Sequence, residues 1–182
     1  LVREVTGHPN CVLVGGCERP DSDAIGRDVG EMAGVGTLGY TITDAPETIF
    51  ADADVILDFT TTATTEDHAA LAATHGAALV IGTTGLEVPH MTALENAAQT
   101  SPVVQAANMS LGVNLLIQLT RQVAETLDPD FDIEIVEMHH RYKVDAPSGT
   151  ALALGNAAAE RRGVDLAGVA ARGRDGVTGE RK

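Results

Sequence analysis

The chain has 182 residues, 44% of them hydrophobic, with 26 acidic and 12 basic side chains for a net charge of -14. That apolar content suffices for a core in one domain or one and a half and rules out a disordered chain. The charge disfavours nucleic acid and anionic membranes as partners, and no apolar run reaches the length of a membrane span.

Lysine is confined to Lys143 and Lys182, an economy that fits a saline habitat or a GC-rich genome of the host. The chain starts with neither a signal peptide nor an initiator methionine. Cys11 and Cys17 lack C-x-x-C spacing, so reduced thiols and a cytoplasmic location are expected.

In chain order, Leu1 to Val5 read as the end of a helix, stopped by Gly7 and Pro9 before a strand over Cys11 to Val14. Glu18 and Arg19 follow that strand. Asp21 to Tyr40 is rich in glycine and acidic residues and reads as a surface loop, with a short turn at Ala24 to Asp28. Asp54 to Thr60 is a continuous apolar run, expected as a parallel strand covered on both faces and ending in a threonine-rich turn. A helix over Glu66 to His75 closes at Gly76, a suitable left-handed cap.

Ala77 to Ile81 is the next strand and runs into Gly82-Thr-Thr-Gly85, with a helix over Pro89 to Gln99 after it. Pro102 to Asn108 gives a third strand. This alternation specifies an α/β chain with a doubly wound parallel sheet. From Ser110 a helix follows whose apolar residues Val113, Leu116, Ile117, Val123 and Leu127 fit a 3.6-residue period, expected to bridge two domains. Asp128-Pro-Asp130 ends it.

Asp132 to Glu137 alternates apolar and acidic residues at period two, the pattern of a half-buried strand, which would place His139 and His140 at its end. Pro147 favours extended backbone at Ala146, and Ser148 is a good N-cap for a helix from about Gly149 through Ala159. The amides of Gly149 and Thr150 would then face an anion, helped by the helix dipole. Imidazoles and the Lys143 ammonium beside such a helix start can protonate a substrate and hold its carboxylate together. Adjacent histidines on a strand point to opposite faces, and a His-His pair by itself is more often structural. Metal binding is weaker still, because no third ligand has a recognised spacing.

Parallel sheets of this kind bind dinucleotides at the carboxyl ends of their strands. Glu18 stands where an acidic residue meets the adenosine ribose, and Arg19 could pair with a 2'-phosphate, so both NADH and NADPH are open. Alone, the two are an ordinary solvated charge pair. Gly82-Thr-Thr-Gly85 lies at a strand's carboxyl end, where glycine lets backbone approach a ligand, although the tetrapeptide is also a serviceable turn.

The segment Glu137-Met-His-His-Arg-Tyr-Lys-Val-Asp-Ala-Pro-Ser-Gly-Thr-Ala151 resembles the hallmark of the 4-hydroxy-tetrahydrodipicolinate reductase family, E-x-H-H-x-x-K-x-D-A-P-S-G-T-A, at every defined position. Asp58-Phe-Thr60 and Gly82-Thr-Thr-Gly85 also match family segments in the right order. The resemblance implies a Rossmann-like dinucleotide-binding domain over residues 1–110 and a partial α+β substrate domain over residues 111–182. It implies NADH or NADPH as cofactor, held by Glu18, Arg19, Gly82, Thr83, Thr84, Ala106, Ala107, Asn108 and Met109, with methionine where the family often has phenylalanine. It further implies a small dicarboxylate substrate bound by His140, Gly149 and Thr150, with His139 as proton donor or acceptor and Lys143 as proton donor.

By the same resemblance, a G-x-x-G-R-M-G turn is expected upstream and further strands beyond the loop Arg172 to Arg181, so the chain is expected to be a fragment of a homotetrameric enzyme of lysine biosynthesis. Two other readings stay open. A related Rossmann dehydrogenase of another amino-acid precursor would share the strand series but need not carry the His139, His140, Lys143 and Ser148-Gly-Thr150 set. A non-catalytic dinucleotide or metabolite binder would bind without turnover.

Overall fold

The computed structural model describes residues 1–143, 145–173 and 176–177. It divides into two units, Leu1–Ala106 and Ala107–Lys182, whereas the sequence places a boundary after residue 110.

The first unit opens with helix α1 (Val2–Gly7), closed at His8. Cys11 to Val14, expected as a strand, carries no ladder, and the nearest pairing is a single parallel bridge between Cys17 and Thr43. Strand residues need a hydrogen-bonded neighbour to satisfy their backbone, and no described strand runs beside them. The expected loop over Asp21 to Tyr40 contains a short helix, α2 (Val29–Ala33). Its cause is Asp28, whose carboxylate accepts from the amides of Gly30, Glu31, Leu38 and Gly39 and so both caps the helix and ties down the chain after it. A further helix that hydrophobic periodicity did not reveal, α3 (Pro46–Asp52), starts on proline and buries Phe50.

Strands β1 (Val55–Asp58), β2 (Ala78–Ile81) and β3 (Val103–Gln105) form a parallel sheet in the order β1-β2-β3. Helices α4 (Thr65–His75) and α5 (Val88–Ala97) connect them, and α4 ends at Gly76 with φ of 72° as expected. The register aligns Ile56 with Leu79 and Leu79 with Val103. Those three side chains share one face, where Leu79 and Ile81 pack against Phe50, Ala69, Ala72, Leu94 and Ala97 as the core. The other face is less covered: Val55, Leu57 and Val104 remain about half exposed. Cover on both faces of the first strand is therefore met only in part. The α/β class with a Rossmann-like parallel sheet is as the sequence indicates.

The second unit is built on two helices. Helix α6 (Leu111–Thr126) is capped by Ser110, and α7 (Gly149–Arg162) by Ser148. They pack together, with Arg121 Nε 3.3 Å from a Glu160 carboxylate oxygen. Small residues on α7, Gly155 and Ala157 to Ala159, are buried, and Gly155 lies against Leu166 and Ile135. The expected apolar stripe of α6 divides: Val113 and Ile117 are half-buried, while Leu116 and Val123 are about half exposed. The helix lies wholly within the second unit.

Asp132 to Glu137 is not a strand. It carries no ladder, because no described strand offers it hydrogen bonds, and Ile133, Ile135 and Val136 are exposed. The unit's only ladder among the described residues is the short antiparallel pair β4 (Asp145–Ala146) and β5 (Gly176–Val177), with helix α8 (Leu166–Val169) between them in sequence. Residues 174–175 and 178–181 of the expected tail loop lie outside the described residues.

Candidate active site

At the carboxyl ends of the parallel strands, three segments meet. Asp58, 2% exposed, accepts from the Thr60 amide at 3.0 Å and the Thr60 hydroxyl at 2.6 Å through Oδ1, and binds His68 Nδ1 at 2.8 Å through Oδ2. Burial pushes the Asp58 carboxyl up, but the bonds from His68 and Thr60 outweigh it and hold it below the usual carboxylate range. Phe59, between Asp58 and Thr60, lies against Gly82, where a Cβ would collide with its ring. Gly82 therefore lacks a side chain to seat Phe59, a nearer reason than the ligand approach expected from sequence. Gly85 has φ of 77°, so the turn itself requires glycine there. The Ala106 amide donates to the Ile81 carbonyl at 3.2 Å, bringing the end of β3 beside Gly82.

The remaining candidate cofactor residues fall in both units. Thr83 is buried and its hydroxyl makes no hydrogen bond among the described residues; Thr84 is exposed. A buried hydroxyl left without a partner costs free energy, so a ligand's polar group there would satisfy it. Glu18 Oε2 accepts from the Arg19 amide, and Arg19 Nε pairs with Asp21 at 3.2 Å on the open surface. Cys17, next to Glu18, has its thiol pushed up by burial and then by the negative charges of Asp58 and Glu18. Cys17 lines one cavity with Asp58 and Thr60, which brings the segment before Glu18 near the end of β1. The second unit begins with Ala107, Asn108 and Met109: Asn108 Oδ1 accepts from the Ser110 amide at 2.8 Å, and the Asn114 side chain donates to the Asn108 carbonyl at 2.9 Å. Ala107 and Met109 are exposed. The orphaned Thr83 hydroxyl and the acidic Glu18 fit a dinucleotide.

The titratable cluster of the second unit centres on Glu137, a position of the motif to which the sequence assigned no role. Glu137 Oε1 accepts from the Ser148 amide at 2.8 Å, and Oε2 accepts from the Ser148 hydroxyl and lies 2.8 Å from His139 Nε2. Ser148 Oγ in turn accepts from the Ala151 amide as the cap of α7. Hydrogen bonds from the Ser148 hydroxyl, then His139 and the Ser148 amide, draw the Glu137 carboxyl down to about 2. The signal for it was present: residues two apart on extended backbone face the same side, so Glu137 and His139 had to be neighbours.

A carboxylate accepts only, so the proton on this hydrogen bond sits at His139 Nε2. The Lys143 amide donates to the His140 carbonyl at 3.3 Å, closing a turn between the histidines and the lysine. Lys143 is half-buried, and the His140 ring lies 6.3 Å from that of Tyr142. Gly149 and Thr150 are the first two residues of α7, and by position their amides have no acceptor within the helix. The predicted helix start is thus found, and Glu137 ties His139 to it. Among the described residues no group of three His, Cys, Asp or Glu side chains could hold a metal ion, and no helix is long and apolar enough to cross a membrane.

Residues 1–109 match the family model "Dihydrodipicolinate reductase, N-terminus" and residues 112–182 match "Dihydrodipicolinate reductase, C-terminus". The 4-hydroxy-tetrahydrodipicolinate reductase of Ruegeria pomeroyi is 58% identical over 181 residues, covering 100% of this chain and 67% of that protein. That of Rhizobium meliloti is 51% identical, over 98% of this chain and 74% of its own length. Among solved structures, a dipicolinate-bound dihydrodipicolinate reductase from Paenisporosarcina sp. TG-14 superimposes with a TM-score of 0.67 at 29% identity, covering 88% of this chain and 60% of that one. The chain thus spans roughly two thirds of the length of these relatives, and, matched by family models through both its units, it belongs to the dihydrodipicolinate reductase family.

Proposed function

We propose that the full-length protein reduces a 4-hydroxylated tetrahydrodipicolinate with NADH or NADPH, giving tetrahydrodipicolinate for the diaminopimelate route to lysine. The observation that carries this is the Glu137 carboxylate joining His139 to the Ser148 cap, since it fixes an acid-base group against a helix start suited to an anion. The solved relative from Paenisporosarcina sp. TG-14 has dipicolinate bound, a small dicarboxylate of the same shape class.

Bound NADH or NADPH supplies the hydride. The substrate loses water to give a conjugated ring, and hydride at carbon leaves negative charge that a proton must neutralise. Lys143 donates that proton, and His139 gives or takes one through its ring. The amides of Gly149 and Thr150, with His140, hold the carboxylates and fix the ring's position. In the first unit Glu18 would accept from the adenosine ribose of a bound cofactor, Arg19 would pair with a 2'-phosphate, and Gly82, Thr83, Thr84 and Ala106 would hold the cofactor. The family resemblance assigns Ala107, Asn108 and Met109 to the cofactor as well. Full-length assembly is a cytoplasmic homotetramer.

The test is loss of reduced-nicotinamide absorbance when full-length protein meets freshly generated substrate with NADH and, separately, NADPH. Turnover with either supports the reading. Tight nicotinamide binding without turnover would favour a non-catalytic binder, and turnover only with another amino-acid precursor would favour a related dehydrogenase.

A further inference from the structure

The pair Asp58 and His68 is buried, ionisable and unused by the chemistry above. A carboxylate removed from water is costly, and packed apolar side chains at the same place are often at least as stabilising. Stability alone is thus a poor reason to keep an acid and an imidazole at the end of a strand. Its position suggests another. Asp58 is the last residue of β1, and His68 reaches it from the first turn of α4, held by the Phe50 ring at a centroid distance of 5.5 Å.

The carboxylate has two tasks. One oxygen takes the Thr60 amide and hydroxyl, while the other takes the proton on His68 Nδ1. Thr60 Oγ1 also lies 2.8 Å from Thr64 Oγ1, so the turn after β1 is pinned at both ends. Phe59 is carried by this turn, and its ring occupies the space that a side chain at Gly82 would need. The turns after β1 and β2 are therefore interlocked, and His68 lies beneath that joint.

Resting on the cofactor assignment just given, we infer that His68 is a positioning residue for nicotinamide binding: through Asp58 it holds the Thr60 turn and the Phe59 ring that seats the Gly82-Thr83-Thr84 turn. It touches neither cofactor nor substrate. Its hydrogen-bond donor is the feature that matters, because a carboxylate with one donor removed swings or draws in water, and the turn follows.

The test compares His68→Leu, which fills the space without a donor, with His68→Asn, whose side-chain amide can donate, in the full-length protein. NADH affinity is measured by calorimetry, alongside kcat, KM for each substrate and the thermal midpoint. His68→Leu should weaken NADH binding and raise its KM about tenfold, on the order of 1.4 kcal/mol, with kcat and the dicarboxylate KM little changed. His68→Asn should recover most of the affinity. A lowered thermal midpoint in His68→Leu with unchanged NADH affinity would make the pair purely structural and overturn the inference, as would equal losses in both variants. Should His68→Leu not fold, Asp58→Asn takes its place with the same expected loss. Wild-type protein that binds neither NADH nor NADPH would overturn the cofactor assignment itself, an outcome visible before any variant is made.

Discussion

Glu137 and His139 are joined by a 2.8 Å hydrogen bond between Oε2 and Nε2, and the same carboxylate takes both the amide and the hydroxyl of Ser148. One acidic side chain therefore sets the proton position on the candidate acid-base histidine and anchors the helix start that would hold an anion.

The depressed Glu137 carboxyl makes stability depend on pH. Its ordinary value is 4.5 and its folded value about 2, so between the two the unfolded chain binds more protons. Stability from this group is present above 4.5 and is lost as pH falls toward 2. Thermal midpoints measured from pH 5 downward should fall more steeply for wild type than for Glu137→Gln. Parallel curves would show that the carboxylate does not carry these bonds in solution.

Ser148→Ala removes the cap of α7 and one donor to Glu137 together. A lost cap costs about 1 kcal/mol, and the carboxylate left short of a donor adds to it. Denaturant unfolding should show a loss of about 1–3 kcal/mol, with Ser148→Thr, which keeps the hydroxyl, closer to wild type.

Lys143→Ala in the full-length protein should lower kcat about 10²- to 10⁴-fold, the usual worth of a positioned proton donor. NADH affinity should stay close to wild type, since Lys143 is assigned to substrate protonation. Steady-state kinetics with calorimetric NADH binding separates the two, and undiminished turnover would remove Lys143 from the reaction.

Gly82→Ala places a methyl where the Phe59 ring lies. Overpacking of this kind costs about 1–3 kcal/mol, and because the ring belongs to the turn after β1, cofactor affinity should drop with stability. Combining it with Phe59→Ala should return part of the stability, because the clash is gone. A double variant no better than the sum of its parts would show that the two side chains do not meet.

The helices were legible where local chemistry decides them. Glycine at 76 fits the left-handed cap of α4, and serines at 110 and 148 cap α6 and α7, because capping is settled within one turn of chain. The strands β1 to β3 were equally legible from short apolar runs between turn residues. The segment Glu137 to Ala151 likewise disclosed its chemistry, since its donors and its helix start follow one another in sequence.

What depended on distant partners was not legible. Cys11 to Val14 and Asp132 to Glu137 have strand patterns, yet a strand exists only when a neighbour accepts its hydrogen bonds, and pattern alone does not supply one. Asp28 organises the chain up to eleven residues beyond itself by bonding amides as far as Gly39, and Phe59 explains Gly82 from 23 positions away. Local propensity and the order of donors were thus written in the chain. Which carboxylate meets which histidine across a loop, as Asp58 meets His68, was decided only when packing brought the ends of separate elements to hydrogen-bonding distance.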